Sequence, residues 1–174
     1  MIFMDNNKRN RDEAATVTAL VEISNAVNNT DDFGDLYASI HDSLLKILTV
    51  ENIAVALCPE DSELLKFPFV VDELDVTLEE LFNINKPHSL SASVISAGKP
   101  MLFNEEDMVK MTRETYKTAS PLACKVVAGA PLKIKGLSTG ALMVWSYRSK
   151  DAFKESDLGF LNSVAEFIAT AIER

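Results

Sequence analysis

The chain contains two cysteines, Cys58 and Cys124, and a thiol is the first group in this sequence that could carry covalent chemistry. A reactive thiol needs an electropositive, partly exposed setting, and a redox pair needs a second thiol that resolves the oxidised form. The two cysteines are far apart and have no CxxC spacing. The pattern therefore predicts no disulfide framework, zinc site or redox pair, and Cys124 reads as a small apolar residue at the start of a strand.

A small anion is the second kind of chemistry to consider. Ser89 and Ser91 stand where a helix is predicted to begin, and free backbone amides at a helix start bind anions readily. Residues 110–135 carry six basic side chains and one acid, whereas residues 60–80 carry eight acids and one base. The two segments are interpreted either as solvated faces or, for the basic one, as the flank of an anion site.

Hydrophobic periodicity predicts the elements that would position these groups. The chain is predicted to begin with a helix from residue 12 and a second helix capped by Asp31 or Asp32, followed by a strand at 53–58, a turn at 60–63 and a strand at 64–71. A short helix at 76–85 comes next, and then a helix that is capped by Ser89 or Ser91 and ends at Gly98. The rest of the predicted order is a strand at 101–103, a helix at 105–117, a long hairpin at 125–147 and a last helix capped by Ser156. This order predicts an α+β fold, with a central antiparallel sheet and helices on both faces.

The bulk properties are those of one ordinary globular domain. A chain of 174 residues that is 47% apolar can bury a full core without disulfides or metals. Residues 1–13 are polar and predicted to be a flexible lead-in, so the domain proper is 14–174. The net charge of −9 argues against nucleic acid and anionic membranes as partners. No apolar run of membrane-spanning length and no signal peptide is seen, so a cytoplasmic protein is expected.

Several stretches resemble the GAF domain family. Residues 89–103 (SLSASVISAGKPMLF) are similar to its helix followed by "TGKPLLI", and residues 127–147 (VAGAPLKIKGLSTGALMVWSY) to its "GVPL…G…GVLxL" hairpin. Residues 153–172 (FKESDLGFLNSVAEFIATAI) resemble its closing helix, and the helical opening also fits. The resemblance covers about residues 14–173, and the order and spacing of the motifs carry it.

The resemblance implies a pocket for a small molecule between one sheet face and the short helices near residues 75–120. It also implies a homodimer and a fused or associated output domain, such as the histidine kinase of a bacterial two-component system. We therefore expect a sensory, regulatory domain and no enzyme activity. Two alternatives stay open: a ligand-free dimerisation spacer, and a reductase of free methionine sulfoxide.

Some members of the family bind a cofactor, but this sequence has few of the residues that attach it. Bilin-binding members of the family attach the pigment through a cysteine followed by histidine, whereas Cys124 is followed by Lys125. Haem-binding members use an axial histidine, for which His41 and His88 are the candidates. The cofactor is left unknown, and the purified protein is expected to be colourless.

Position in the resembled fold gives the candidate ligand-binding residues, which are Phe67, Phe69, Asp72, Ser89, Ser91, Thr112, Tyr116, Lys117 and Cys124. The last helix carries two apolar stripes, and one stripe is enough to dock it on a sheet. The second stripe packs either on the first helix or in a parallel dimer seam, and the resemblance favours the dimer. The predicted interface residues are Leu161, Ala165, Ile168 and Ile172 with Val17 and Leu20.

Overall fold

The computed structural model describes residues 2–48, 50–59, 65–74, 89–115 and 124–174, with side chains from residue 13 onward except those of residues 112–115. These residues form α1 (Ile2–Asn29), α2 (Phe33–Leu45), β1 (Asn52–Leu57), β2 (Lys66–Val71), α3 (Leu90–Ala97), β3 (Met101–Asn104), α4 (Glu105–Thr115), β4 (Val126–Ile134), β5 (Leu137–Ser146), a 3₁₀ turn (Glu155–Asp157) and α5 (Leu158–Glu173). Within the described ranges, no helix is both long and apolar enough to cross a membrane.

The five strands form one antiparallel sheet in the order β2-β1-β5-β4-β3. The predicted fold, a central antiparallel sheet with helices on both faces, is confirmed. Side chains alternate between the two faces of each strand. Ile53 and Val55 pack in the core beneath α1, α2 and α5, on what we term the helical face. Ala54, Met143 and Trp145 pack with α3 on the opposite side, which we term the second face.

An irregularity at Pro68 splits two phenylalanines between the faces. Val55 pairs with Phe69 and Leu57 with Lys66, so that Phe67 and Pro68 lie opposite the single residue Ala56. Proline lacks an N–H for the ladder and is found at edge strands and bulges, and β2 is an edge strand. As a result Phe69 packs on the helical face, with its ring centroid 5.5 Å from that of Tyr37, while Phe67 packs on the second face.

Caps and turns follow the local sequence closely. Asp32 caps α2 by accepting the amide of Asp35 at 2.9 Å, and Ser89 caps α3 by accepting that of Ala92 at 3.1 Å. The cap of α3 at Gly98 has a φ of 64°, a left-handed conformation that glycine adopts without strain. These features agree with the predicted boundaries.

The final helix begins differently from the prediction that Ser156 caps it. A 3₁₀ turn at Glu155–Asp157 precedes α5, and Asp157 Oδ2 accepts the amide of Lys154 at 2.8 Å. The prediction that Ser156 caps the helix was wrong, because Asp157 precedes α5 directly. Its side chain accepts a hydrogen bond from the backbone ahead of the helix, and a carboxylate is also favoured at a helix N-terminus.

The amino-terminal helix is longer than its apolar periodicity indicated. The lead-in predicted for residues 1–13 is helical from Ile2. Residues 2–13 contain neither glycine nor proline, so extending a helix that is already nucleated costs little, although the segment lacks an apolar stripe. The turn predicted at 60–63 and the helix predicted at 76–85 lie outside the described residues.

Candidate functional site

A polar corner lies on the second face, where β2 ends. The carboxylate of Asp72 accepts three hydrogen bonds there. Oδ2 accepts from the indole Nε1 of Trp145 at 3.0 Å and from the hydroxyl of Tyr147 at 2.5 Å. Oδ1 accepts the backbone amide of Leu74 at 2.8 Å. These bonds hold a partly buried carboxylate against the end of β5, although β1 lies between β2 and β5 in the sheet.

A second set of contacts strengthens this link between β2 and β5. Asn52 is completely buried; its Nδ2 donates to the carbonyl of Trp145 at 3.1 Å, and its Oδ1 accepts the amide of Glu73 at 2.8 Å. Arg148 donates from Nη2 to Glu73 at 3.0 Å, and its Nε lies 3.6 Å from a carboxylate oxygen of Glu51. A hydrogen bond with Glu73 raises the pKa of Glu51. The polar corner is therefore fixed by side chains from three strand ends.

Two ionisable groups of the site are held in their protonated forms. Burial, with a smaller effect from the negative charge of Asp72, raises the pKa of Cys124 to about 12. Burial and the hydrogen bond to Asp72 also raise the pKa of Tyr147. At neutral pH the corner thus presents a neutral thiol and a phenol that donates its proton.

Trp145 and Tyr147 of the corner belong to the apolar cluster of the second face. Partly buried members of the second-face cluster are Phe67, Ile95, Met101, Met108, Met111 and Tyr147. Aromatic rings with a few convergent polar groups are the usual lining of a small-molecule site. Methionine adds a flexible, polarisable surface that adapts to varied shapes.

The structure brings together only some of the predicted ligand-binding residues. Phe67 and Cys124 belong to the second-face cluster, and Asp72 hydrogen-bonds to two other members of it. Phe69 does not join them, because the irregularity at Pro68 turns it to the helical face. Thr112 lies on α4 but its side chain is outside the described set, as are Tyr116 and Lys117 entirely.

The two serines of the predicted anion site have other surroundings in the structure. The hydroxyl of Ser89 is used by the cap of α3, and Ser91 is 1% exposed. Lys125, from the basic segment, pairs with Glu105 at 3.2 Å, while Lys133 is exposed near the opposite end of β4. The described basic side chains therefore do not converge on the second face, which agrees with the solvated-face interpretation.

Trp145, Tyr147 and Asn52 were not among the predicted site residues. Trp145 and Tyr147 are two positions apart, and strand alternation alone could have placed both on one face. Nothing local relates them to Asp72 or Asn52, since that contact depends on the pairing of β1 with both β2 and β5.

The predicted dimer interface is largely buried inside the chain. Leu161, Ala165 and Ile168 are at most 1% exposed, because α1 and the helical face cover both stripes of α5. The prediction that these three residues form a dimer interface is therefore wrong, since they belong to the core. On α1, Leu20 is partly buried in the same core, whereas Val17 is 60% exposed.

The described histidine has a structural contact. His41 is 9% exposed, and its Nε2 donates to the carbonyl of Val50 at 2.6 Å. His88 lies outside the described residues. No group of three or more metal-ligating side chains occurs in the part of the chain that the structure describes.

A separate cleft of about 370 Å³ lies at the turn end of the β4–β5 hairpin, where its lining residues are Leu57, Cys58, Pro59, Ile134, Lys135, Leu137 and Thr139. It does not coincide with the polar corner, which lies at the other end of β5. Cys58 is partly exposed there.

No protein-family model matches this sequence, and no curated protein sequence does either. Solved structures do match. The GAF domain of a putative sensor histidine kinase from Pseudomonas syringae pv. tomato is 12% identical, with 97% of this chain and 93% of that chain covered and a TM-score of 0.65. The GAF domain of an Acinetobacter phosphoenolpyruvate-protein phosphotransferase is 16% identical over 90% and 91%, with a TM-score of 0.69.

An enzyme of the same fold also matches. The free methionine-R-sulfoxide reductase of Neisseria meningitidis, solved with its substrate, is 18% identical over 91% of this chain and 88% of that chain, with a TM-score of 0.69. The chain therefore has the GAF fold. At these identities the likeness establishes the fold alone.

Proposed function

We propose that this chain is a regulatory domain of a cytoplasmic bacterial signalling protein that senses a small molecule on the second face. The observation that carries the proposal is the polar corner, where a partly buried carboxylate meets an apolar, methionine-rich surface. A partly buried carboxylate loses part of its hydration, and here three hydrogen bonds hold it in one position at the edge of an apolar cluster, as a ligand-binding group would be held.

The contacts at the end of α5 support a route for the signal. Glu173 Oε1 accepts the amide of Lys135 in the β4–β5 turn at 2.6 Å. Arg174 donates to the carbonyl of Val27 at 3.1 Å and to Asn28 Oδ1 at 2.5 Å. The carboxyl ends of α1 and α5 therefore meet beside the hairpin whose strands form the second face. A ligand that shifts this hairpin would move both helix ends toward an output domain such as a histidine kinase.

In this proposal the homodimer interface lies on α1 instead of α5. Val17 and Val21 are 60% and 54% exposed and lie one turn apart on one side of the helix. An exposed apolar stripe on a helix favours a second helix as its partner. We infer that two copies pair along α1 while α5 stays in the core of each copy.

The reductase alternative is favoured by the likeness to the Neisseria enzyme and opposed by the setting of Cys124. With a pKa of about 12, only about one Cys124 thiol in 10⁵ is ionised at neutral pH, and the thiolate is the nucleophile. An assay with free methionine-R-sulfoxide and dithiothreitol separates the two functions. Turnover that is lost in Cys124→Ser would establish the enzyme and displace the sensor.

A binding screen tests the sensor. The full chain is heated with a panel of cationic, neutral and anionic metabolites, and compounds that raise the melting temperature are titrated by fluorescence. Binding should be lost in Phe67→Ala, on the second face, and kept in Tyr37→Phe, on the helical face. If no compound stabilises the protein, and a ligand-free crystal structure shows the second face filled by side chains, the chain is a spacer.

A further inference from the structure

The charge of the polar corner sets the chemistry of what it can bind. Among the described residues, every hydrogen bond to Asp72 comes from a neutral donor: an indole, a phenol and a backbone amide. The guanidinium of Arg148 is engaged by Glu73 and Glu51 instead. Neutral donors stabilise a carboxylate but leave its net charge in place, and that charge acts more strongly in a partly buried site than in water.

Asp72 also retains room for another donor. A carboxylate oxygen can accept two hydrogen bonds. From donors in the described part of the chain, Oδ2 accepts two, from Trp145 and Tyr147, whereas Oδ1 accepts one, from the amide of Leu74. Asp72 is partly exposed as a residue, so a further N–H group can approach its carboxylate.

The remaining surface of the site is apolar. Phe67, Met101 and Met108 are partly buried members of the same cluster as Tyr147. The serines that were expected to attract an anion are buried or used by the cap of α3. The second face thus combines the carboxylate of Asp72 with the apolar side chains of this cluster.

We propose that the ligand of this site carries a protonated amine that binds Oδ1 of Asp72, joined to an apolar body that packs on Phe67, Tyr147 and the methionines. This inference rests on the proposed sensor function and reverses the charge that the sequence suggested for the ligand. The hydrogen bond would be charge-assisted, the class that discriminates most strongly between an amine and its neutral analogue.

Three probes of similar size test the charge: 2-phenylethylamine, 2-phenylethanol and phenylacetate. Their affinities for the full chain are measured by calorimetry and by the fluorescence of Trp145. The amine should bind about tenfold tighter than the alcohol, since about 1.4 kcal/mol of preference corresponds to a factor of ten, and phenylacetate should bind weakest. In Asp72→Asn the amine and the alcohol should bind equally, while the exposed control Asp42→Asn should keep the preference.

The wild-type ratio decides the inference even if Asp72→Asn folds poorly. Equal binding of amine and alcohol, or tightest binding of phenylacetate, would overturn it and leave Asp72 as a structural link between β2 and β5. A metabolite that binds in a Phe67-dependent but Asp72-independent way would overturn the amine and keep the sensor. Failure of every probe and every panel compound to bind would remove both proposals.

Discussion

The indole N–H of Trp145 lies 3.0 Å from Oδ2 of Asp72, across 73 positions of sequence. Trp145 is the single tryptophan of the chain, and it is completely buried. Its fluorescence therefore reports on the polar corner, because unfolding or ligand binding at the corner changes the surroundings of the indole.

Replacing Asp72 by alanine should destabilise the fold. The substitution removes the carboxylate oxygen that accepts hydrogen bonds from both Trp145 and Tyr147. We expect the free energy of unfolding to fall by about 2 to 3 kcal/mol, measured by urea titration of Trp145 fluorescence. Asp42→Ala, at an exposed position on α2, should change it by less than about 0.5 kcal/mol. Equal losses at the two positions would contradict the role of the corner.

Asn52 should control the backbone where β2 ends. Asn52→Ala leaves the carbonyl of Trp145 and the amide of Glu73 without their side-chain partner, at a cost of about 2 kcal/mol. The amide of Glu73 should then exchange with solvent much faster, as measured by hydrogen exchange. The amide of Val127 in β4, which is bonded within the sheet, should keep its protection. Unchanged exchange at Glu73 would show that another group holds this segment.

Alkaline pH should destabilise the domain through Cys124. The pKa of this thiol is raised from 9.0 to about 12 in the folded protein. Between these values the unfolded chain loses a proton that the folded chain keeps, so stability is intact below about pH 9 and falls as pH rises toward 12. The slope should reach about 1.4 kcal/mol per pH unit from this group. Tyr147, with its pKa raised as well, adds to the loss in the same direction.

Urea unfolding at several pH values above neutrality checks this dependence. Cys124→Ala should flatten the alkaline decline, and adding Tyr147→Phe should flatten it further. In the native protein Cys124 should also react slowly with a thiol reagent, with fast reaction only after unfolding. Rapid native modification of both thiols of the chain would contradict the burial of Cys124.

The location of the dimer seam can be decided by charge substitutions. Val17→Glu with Val21→Glu should give a folded monomer in sedimentation, because both side chains are exposed on α1. Ile168→Glu should instead unfold the chain, since it buries an unpaired carboxylate in the core. A dimer that survives the double substitution would exclude α1 as the seam, and a wild-type monomer at micromolar concentration would exclude the dimer itself.

The sequence by itself determined most of the secondary structure. Asp31 or Asp32 and Ser89 or Ser91 marked helix starts, Gly98 marked a helix end, and the apolar run before Pro59 marked β1. These signals are local, because a cap or a strand period involves residues a few positions apart. The resemblance then ordered the elements into the GAF fold, which the structure confirms.

Tertiary structure alone decided which of these residues meet. The irregularity at Pro68 placed Phe67 and Phe69 on opposite faces, and the pairing of β1 with two strands brought Asp72 to Trp145. Sequence periodicity shows that one face of a helix or strand is apolar, but it does not show which surface packs against that face. For this reason the sequence predicts a partner subunit on the second stripe of α5, although Ile168 is buried in the core of the chain itself.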